Sequence, residues 1–360
     1  MTQKPQTQKI RTSPGDADEA YHEHVLQYVS RTFALTIPQL PVDLRRVVSN
    51  AYLLCRIADT IEDDNAVDSE QTRRLAELFV QVVAGNVPAE QFSEELYPLL
   101  SEHTIEEEHD LIKNTDSVIR ITHSFNENQR NALERCIRIM AKGMADYQDA
   151  ETLDGLKNLA AMDDYCYYVA GVVGEMLTEL FCDYSDEINA NKAELMKLAV
   201  SFGQGLQMTN ILKDIWDDRA RGACWLPRDI FETEGFDLRE LNENNKNEKF
   251  QRGLEQLIAV ARNHLSDALT YTLLIPTHEK GIRKFCLWAL GMAVLSLDKL
   301  NNHLDFSRGT DVKITRRSVK ATVASTSLLV SNDWALKKLF SYSSRNLPTT
   351  TIRERLGTTK

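Results

Sequence analysis

Apolar residues recur along this chain every three to four positions, in segments too long for strands. The spacing predicts helices over roughly 19–29, 42–63, 70–84, 103–120, 127–149, 156–166, 168–182, 192–219, 249–273, 278–304, 314–330 and 332–342. Strand-like alternation is almost absent. Only 15 Gly and 9 Pro punctuate the 360 residues, as long helices joined by short loops require. Pro38 and Pro41 precede the helix predicted to start at 42, while Gly222 and Pro227 close the one ending near 219. No period of 20–50 residues repeats, which excludes a solenoid. The pattern describes one all-α domain with a central cavity, covering 19–343. Polar segments at 1–18 and 344–360 are expected to be disordered or flexible.

Acids interrupt this apolar pattern at two places. In AYLLCRIADTIEDD, residues 51–64, Tyr52, Arg56, Asp59 and Asp63 fall at i, i+4, i+7 and i+11, one stripe of a helix. In QMTNILKDIWDDRARG, residues 207–222, Gln207, Asn210, Asp214 and Asp218 repeat the logic, with Lys213, Arg219 and Arg221 beside them. An unpaired carboxylate in a core-seeking stretch costs on the order of several kcal/mol, so something cationic should meet these acids. A Mg²⁺ cluster gripping a diphosphate between two facing helices is the economical answer. Mg²⁺ takes oxygen ligands and shares its shell with phosphate. Two unit charges about 4 Å apart interact by roughly 4 kcal/mol at an effective dielectric of about 20. A single DxxxD is most often a solvated helix face; two, each with apolar flanks and an aligned Arg or Asn, are not. Neither has the alternating Asp and central Gly of an EF-hand loop, which excludes that calcium site.

Composition narrows the function further. A hydrophobic content of 42 % and charged content of 26 % suit a soluble globular protein with a full core. The formal charge of −11 argues against nucleic acid as a partner. Six scattered cysteines without a CxxC pair read as buried free thiols in a reducing cytoplasm. The first twenty residues lack a signal peptide's apolar core, and Phe285–Leu297 is too short to span a bilayer. Peripheral contact with a membrane stays open, since the basic residues toward the C-terminus could favour anionic lipid.

Two further stretches carry chemistry. VSRTFALTIPQLP, residues 29–41, offers Ser30, Arg31, Thr32 and Phe33, which taken alone read as an ordinary helix start. DDYCYYVAGVVGEML, residues 163–177, places Tyr165, Tyr168, Gly171 and Gly174 on a helix. Its glycines could serve helix packing or line a pocket for a long apolar chain.

Together SRTF, YxxxRxxDTxEDD, YCYYVAGVVGE and FGQGLQMTNILKDIWDD resemble, in order and spacing, the squalene/phytoene synthases, the head-to-head trans-isoprenyl diphosphate synthases. The resemblance covers roughly residues 21–330 and implies an all-α isoprenoid synthase fold with two facing Asp-rich helices. By that resemblance Asp59, Glu62, Asp63, Asn210, Asp214 and Asp218 would hold Mg²⁺. Ser30, Arg31, Phe33, Tyr52, Arg56, Gln207, Lys213, Arg219 and Arg221 would contact substrate, and Tyr165 would serve the first half-reaction. KFCLWALGMAVLSLDKLNNHLDFSRGTDVKITRR, residues 284–317, is most similar to the squalene synthase branch. It implies Phe285 in the second-step pocket and Lys313, Arg316 and Arg317 on the phosphate of NADPH. Two positions depart from the pattern. Ala223 stands where many relatives carry arginine, and Thr315 where a cation is common.

The implied activity joins two farnesyl diphosphates through presqualene diphosphate to squalene, with Mg²⁺ and NADPH. The alternative is a dehydrosqualene or phytoene synthase that condenses without reducing. A class I terpene cyclase would normally carry an Asn/Asp, Ser/Thr, Glu second motif, which this chain lacks. A non-catalytic helical subunit would have been free to lose the four acids.

Overall fold

Helices form where the apolar stripes place them, and the differences are informative. The computed structural model describes residues 14–30, 33–63, 69–102, 104–148, 152–242 and 247–349. Among these residues there is no strand; Leu156 and Pro227 make an isolated bridge.

Helix α1, Pro14–Val29, begins earlier than the apolar pattern suggests. The cause is Asp18, buried and held by Arg120 Nη2 at 2.6 Å, Arg120 Nε at 2.9 Å and Ser117 Oγ at 2.8 Å. That ion pair fixes the first turns of α1 to a later helix, so the ordered chain starts before residue 19. At the other end Ser344 and Leu347 are buried, so the chain still packs on the bundle past residue 344, where a flexible tail was expected to begin.

The first acidic stripe lies on α2, Val42–Asp63, whose opposite side buries Leu53, Leu54, Ile57 and Ile61. Around it stand α3 (Ser69–Val83), α4 (Glu106–Lys113), α5 (Thr115–His123) and α6 (Glu127–Gln148). A single helix was expected over 103–120. It breaks at Asn114, which has φ −107° and ψ 26° and whose side-chain amide donates to the Asp110 carbonyl at 2.8 Å.

Next come α7 (Leu159–Cys166), a π-helical turn at Tyr167–Gly171, and α8 (Val172–Tyr184). The second acidic stripe begins on α9, Lys192–Lys213, and finishes on α10, Ile215–Ala220. Helices α11 (Glu248–Leu274), α12 (Lys280–Asn301), α13 (Arg316–Leu329) and α14 (Asp333–Ser343) complete the bundle. Helix α2, with the first stripe, and α9, which leads into the second, both pack on α8.

Helix α9 is the pivot of this arrangement, and its small residues set how closely its neighbours approach. A Cβ on Gly203 would overlap the Ala170 carbonyl, and one on Gly174 the Ala199 carbonyl. On the other side a Cβ on Gly205 would lie 2.9 Å from His264 Cβ of α11. Gly174 therefore serves backbone-to-backbone packing, and a Cβ on Gly171 would meet the Tyr167 and Val200 side chains, so both glycines serve packing. Between α9 and α11 the hydroxyl of Ser201 donates to Asp267 Oδ2 at 2.7 Å and bonds His264 Nδ1 at 2.9 Å. These buried polar contacts fix the register of the two helices.

Gly203→Ala should overpack the contact with Ala170 and cost about 1–3 kcal/mol. Circular dichroism should show a melting point several degrees lower with unchanged helix content. An unaltered melting point would show that the π-helical turn and α9 can separate freely.

Candidate active site

The first half of the site is assembled by capping and ring packing. Ser30, buried just after α1, accepts hydrogen bonds through Oγ from the N–H of Phe33 at 3.0 Å and of Ala34 at 3.2 Å. This starts the short helix Phe33–Thr36 and sets the Phe33 ring 5.4 Å from Tyr52 and 6.4 Å from Phe285. Phe181 meets Phe285 edge-on at 6.2 Å. The Tyr52 hydroxyl donates to the Val29 carbonyl at 2.8 Å, and burial pushes its pKa up. Phe33, Tyr52 and Phe285, from three separate segments, thus share one aromatic wall. Arg31 lies outside the described residues.

One helical turn beyond Tyr52, Arg56 is gripped from two sides. Its Nη1 stands 3.8 Å from Asp59 Oδ2, and its Nη2 donates to Glu108 Oε1 on α4. Glu108 is 7 % exposed, so this is the more protected contact. Glu108 was missed in the sequence because EEEHD reads as a solvated acidic run. Its signal was its place on the same helix face as Leu111 and Ile112, three and four positions on. Asp59 and Glu62 are half-buried, while the side chain of Asp63 lies outside the described residues.

The second stripe bends where its chemistry begins. Asp214 leaves helical geometry with φ −102° and ψ 14°, so the helix expected over 192–219 is two segments. The ladder survives the bend, because Asp214 N–H donates to the Asn210 carbonyl and Asp218 N–H to the Asp214 carbonyl, each at 2.9 Å. Lys213 Nζ holds both carboxylate oxygens of Asp214, and Arg221 Nη2 donates to Asp218 Oδ1 at 2.6 Å. Gln207 is half-buried and Asn210 exposed. Arg219 does something else. It donates to the Leu153 carbonyl at 3.2 Å and the Leu241 carbonyl at 2.9 Å, tying two loops to α10.

Tyr165 sits in an aromatic sandwich. Its ring stacks on Trp225 at 4.0 Å and 5° between planes, and Tyr147 stands 5.4 Å away. Trp225 belongs to the segment following α10, which is pinned to the approach to α7. Leu156 N–H donates to the Leu226 carbonyl at 2.9 Å, and Arg228 N–H returns to the Leu156 carbonyl at 2.8 Å. Ala223 N–H donates to the Asp218 carbonyl at 3.0 Å. The strip from Asp218 to Arg228 therefore links the second acidic stripe directly to Tyr165. Nothing in the sequence marked Trp225, since the pairing is made by tertiary contact.

The basic segment near 313 is brought to the same place. Trp216 Nε1 donates to the Phe306 carbonyl at 2.9 Å, anchoring that loop on α10. A Cβ added to Gly309 would meet Asp217 Oδ2 at 3.2 Å and Asp214 Oδ1 at 3.7 Å, so the loop backbone lies against the acids. Lys313, Arg316 and Arg317 are exposed, and the Lys313 carbonyl accepts from Lys299 Nζ at 3.1 Å. Thr315, where a cation was expected, caps α13 instead: its Oγ1 accepts from the Ser318 N–H at 3.1 Å.

Among the described residues no three His, Cys, Asp or Glu side chains are grouped as a ready-made metal cage. The proposed donor set is nonetheless all oxygen, drawn from α2 and from the bent α9–α10 segment. It fits Mg²⁺ held by one or two carboxylates at a time, with diphosphate oxygens completing the shell. The six cysteines are all buried and free, which keeps thiolates out of the donor set.

The sequence profile described as squalene/phytoene synthase matches residues 26–318. A squalene synthase of Solanum lycopersicum is 30 % identical over 307 residues, covering 83 % of this chain and 68 % of that protein. One from Cyberlindnera jadinii is 29 % identical over 313 residues, covering 82 % and 66 %. The chain spans about two-thirds or a little less of the length of several such relatives. Among solved structures, the complex of TcSQS with BPH1237 superposes with a TM-score of 0.73 at 24 % identity, over 92 % of this chain and 91 % of that one. A dehydrosqualene synthase complex gives 0.59 at 20 % identity, covering 92 % and 100 %. These superpositions establish the all-α isoprenoid synthase fold.

Glu108→Gln keeps a hydrogen-bond acceptor for Arg56 but removes the charge. Urea unfolding should show a loss of about 1–3 kcal/mol, and Glu108→Ala should lose more. Equal stability of all three proteins would mean that Glu108 does not hold Arg56.

Proposed function

Because the chain belongs to the squalene/phytoene synthase family, we propose that it condenses two molecules of farnesyl diphosphate head to head, through presqualene diphosphate, to squalene. One observation carries the reading. Helix α2, with the first acidic stripe, and α9, which leads into the second, rest on a common helix, an aromatic wall includes Tyr52 of α2, and squalene synthases are similar to this chain across most of its length.

Asp59, Glu62 and Asp63 on one side, and Asn210, Asp214 and Asp218 on the other, would hold Mg²⁺. When bound, Mg²⁺ supplies positive charge to the diphosphate as it leaves. Arg56, Lys213 and Arg221 already sit on Asp59, Asp214 and Asp218. They compensate the acids before substrate arrives and can turn to the diphosphate when it does. Arg221 suits that grip better than Arg219, whose guanidinium is committed to two carbonyls. Phe33, Tyr52 and Phe285 exclude water and present ring faces to the allylic cation, each worth about 0.5–2 kcal/mol. Ser30 sets Phe33 in that wall, and Gln207 extends the polar stripe toward the substrate.

Tyr165 would guide the proton lost as the cyclopropane closes. Its flat stack on Trp225 holds the ring in one orientation, the condition for directed proton transfer. NADPH would supply the hydride of the second step, and Lys313, Arg316 and Arg317 would hold its phosphate. Their loop lies against the second acidic stripe, which supports this placement.

Incubation with farnesyl diphosphate and Mg²⁺ should release diphosphate, and NADPH should direct the product to squalene, identified by mass. A triene-centred hydrocarbon formed regardless of NADPH would make the chain a dehydrosqualene or phytoene synthase instead. Chelating Mg²⁺ should stop both outcomes. Asp59→Ala and Asp214→Ala should each abolish turnover while circular dichroism stays unchanged; retained turnover in either variant would remove the metal assignment.

A further inference from the structure

We propose that the outer face of α14 is a docking surface for an anionic lipid bilayer. Along this helix and just past it, Trp334, Lys337, Lys338, Ser341, Tyr342 and Arg345 are the exposed positions, at i, i+3, i+4, i+7, i+8 and i+11. They form one stripe. The opposite side is fixed to the bundle by Leu336, which is buried, and by Ser344 and Leu347 just beyond the helix. Trp334 is 70 % and Tyr342 65 % exposed, while every other tryptophan of the chain is 7 % exposed or less. Helix α13, packed on α14, adds Leu328 at 84 % exposure.

The cations stand on the aromatic rings. Lys338 Nζ lies 5.8 Å from the Trp334 centroid, and the Arg345 guanidinium 4.0 Å from that of Tyr342. Such pairs suit the headgroup layer, where ring and stem enter the apolar boundary and the charge meets phosphate. The local charge runs against that of the whole chain. Residues 316–345 carry Arg316, Arg317, Lys320, Lys337, Lys338 and Arg345 against the single acid Asp333, on a chain of −11. Asp333 is itself paired with the buried Arg283. Beside the stripe, a groove between α11 and α14 is lined by Arg262 and Lys337, with the hydroxyls of Ser266, Thr270 and Ser341. Cationic and hydroxyl-lined, it complements phosphate headgroups. No helix among the described residues is long and apolar enough to cross a membrane, so this face contacts the surface of a bilayer.

The test uses the full chain with phosphatidylcholine vesicles, with and without phosphatidylglycerol, and with brominated lipid as a quencher. Cosedimentation should require phosphatidylglycerol and weaken with salt. Brominated lipid should quench tryptophan emission, and Trp334→Phe should remove that quenching because Trp216, Trp225 and Trp288 are buried. Lys337→Glu with Lys338→Glu should lower vesicle partitioning at least about tenfold, at roughly fivefold per cation. Helix content should not change. Absence of cosedimentation would overturn the proposal. So would binding that survives both Lys337→Glu/Lys338→Glu and Trp334→Ser/Tyr342→Ser, because the cations after residue 350 would then be responsible.

Discussion

Carboxylates turned toward a bundle of apolar helices must be neutralised, and the centre of this protein is organised around that requirement. Asp59 has Arg56, Asp214 has Lys213, and Asp218 has Arg221. Arg56 in turn is anchored by Glu108, a buried acid from a different helix. Removing Arg56 would strand the buried Glu108, which is costly in a way that removing both is not. The same compensation would suit the proposed diphosphate substrate on a chain of net charge −11. The cations that steady the acids at rest are those a diphosphate would meet on entry.

How the two acidic stripes sit relative to one another depends on how closely helices approach. Helix α9 leads into the second stripe; its Gly203 lets it lie directly on the π-helical turn, and Gly174 of α8 lets α8 lie on Ala199 of α9. Since α8 also packs on α2, the position of one stripe relative to the other is set through a single rigid spacer. The π turn belongs to the same device. It lies between Tyr165 and the glycines, so one irregular turn links the aromatic sandwich to the α8–α9 contact.

Function in the later part of the chain is gathered by loops. The Trp216 bond to the Phe306 carbonyl and the approach of Gly309 to Asp214 bring the 305–317 segment back to α10. The bridge between Leu156 and Pro227 does the same for Tyr165 and Trp225. Arg219 shows what such loops demand, since its guanidinium satisfies two loop carbonyls.

Local pattern determined much of this protein. Apolar periodicity gave α2, α3, α6, α11 and α12 to within a few residues, because a helix face needs only neighbours three and four positions away. It likewise placed Tyr52, Arg56 and Asp59 on one stripe, and Gln207, Asn210, Asp214 and Asp218 on another. Tertiary structure alone decided the rest. Glu108 on Arg56, Trp225 on Tyr165, Phe285 against Phe33 and Gly309 on the acids are contacts between residues far apart in the chain. The breaks at Asn114 and Asp214, and the early start of α1 at the Asp18–Arg120 pair, also arise outside the local pattern. Periodicity records which face of a helix is buried. It holds no information about which distant side chain covers that face, because the partner is selected by packing and charge in the assembled bundle.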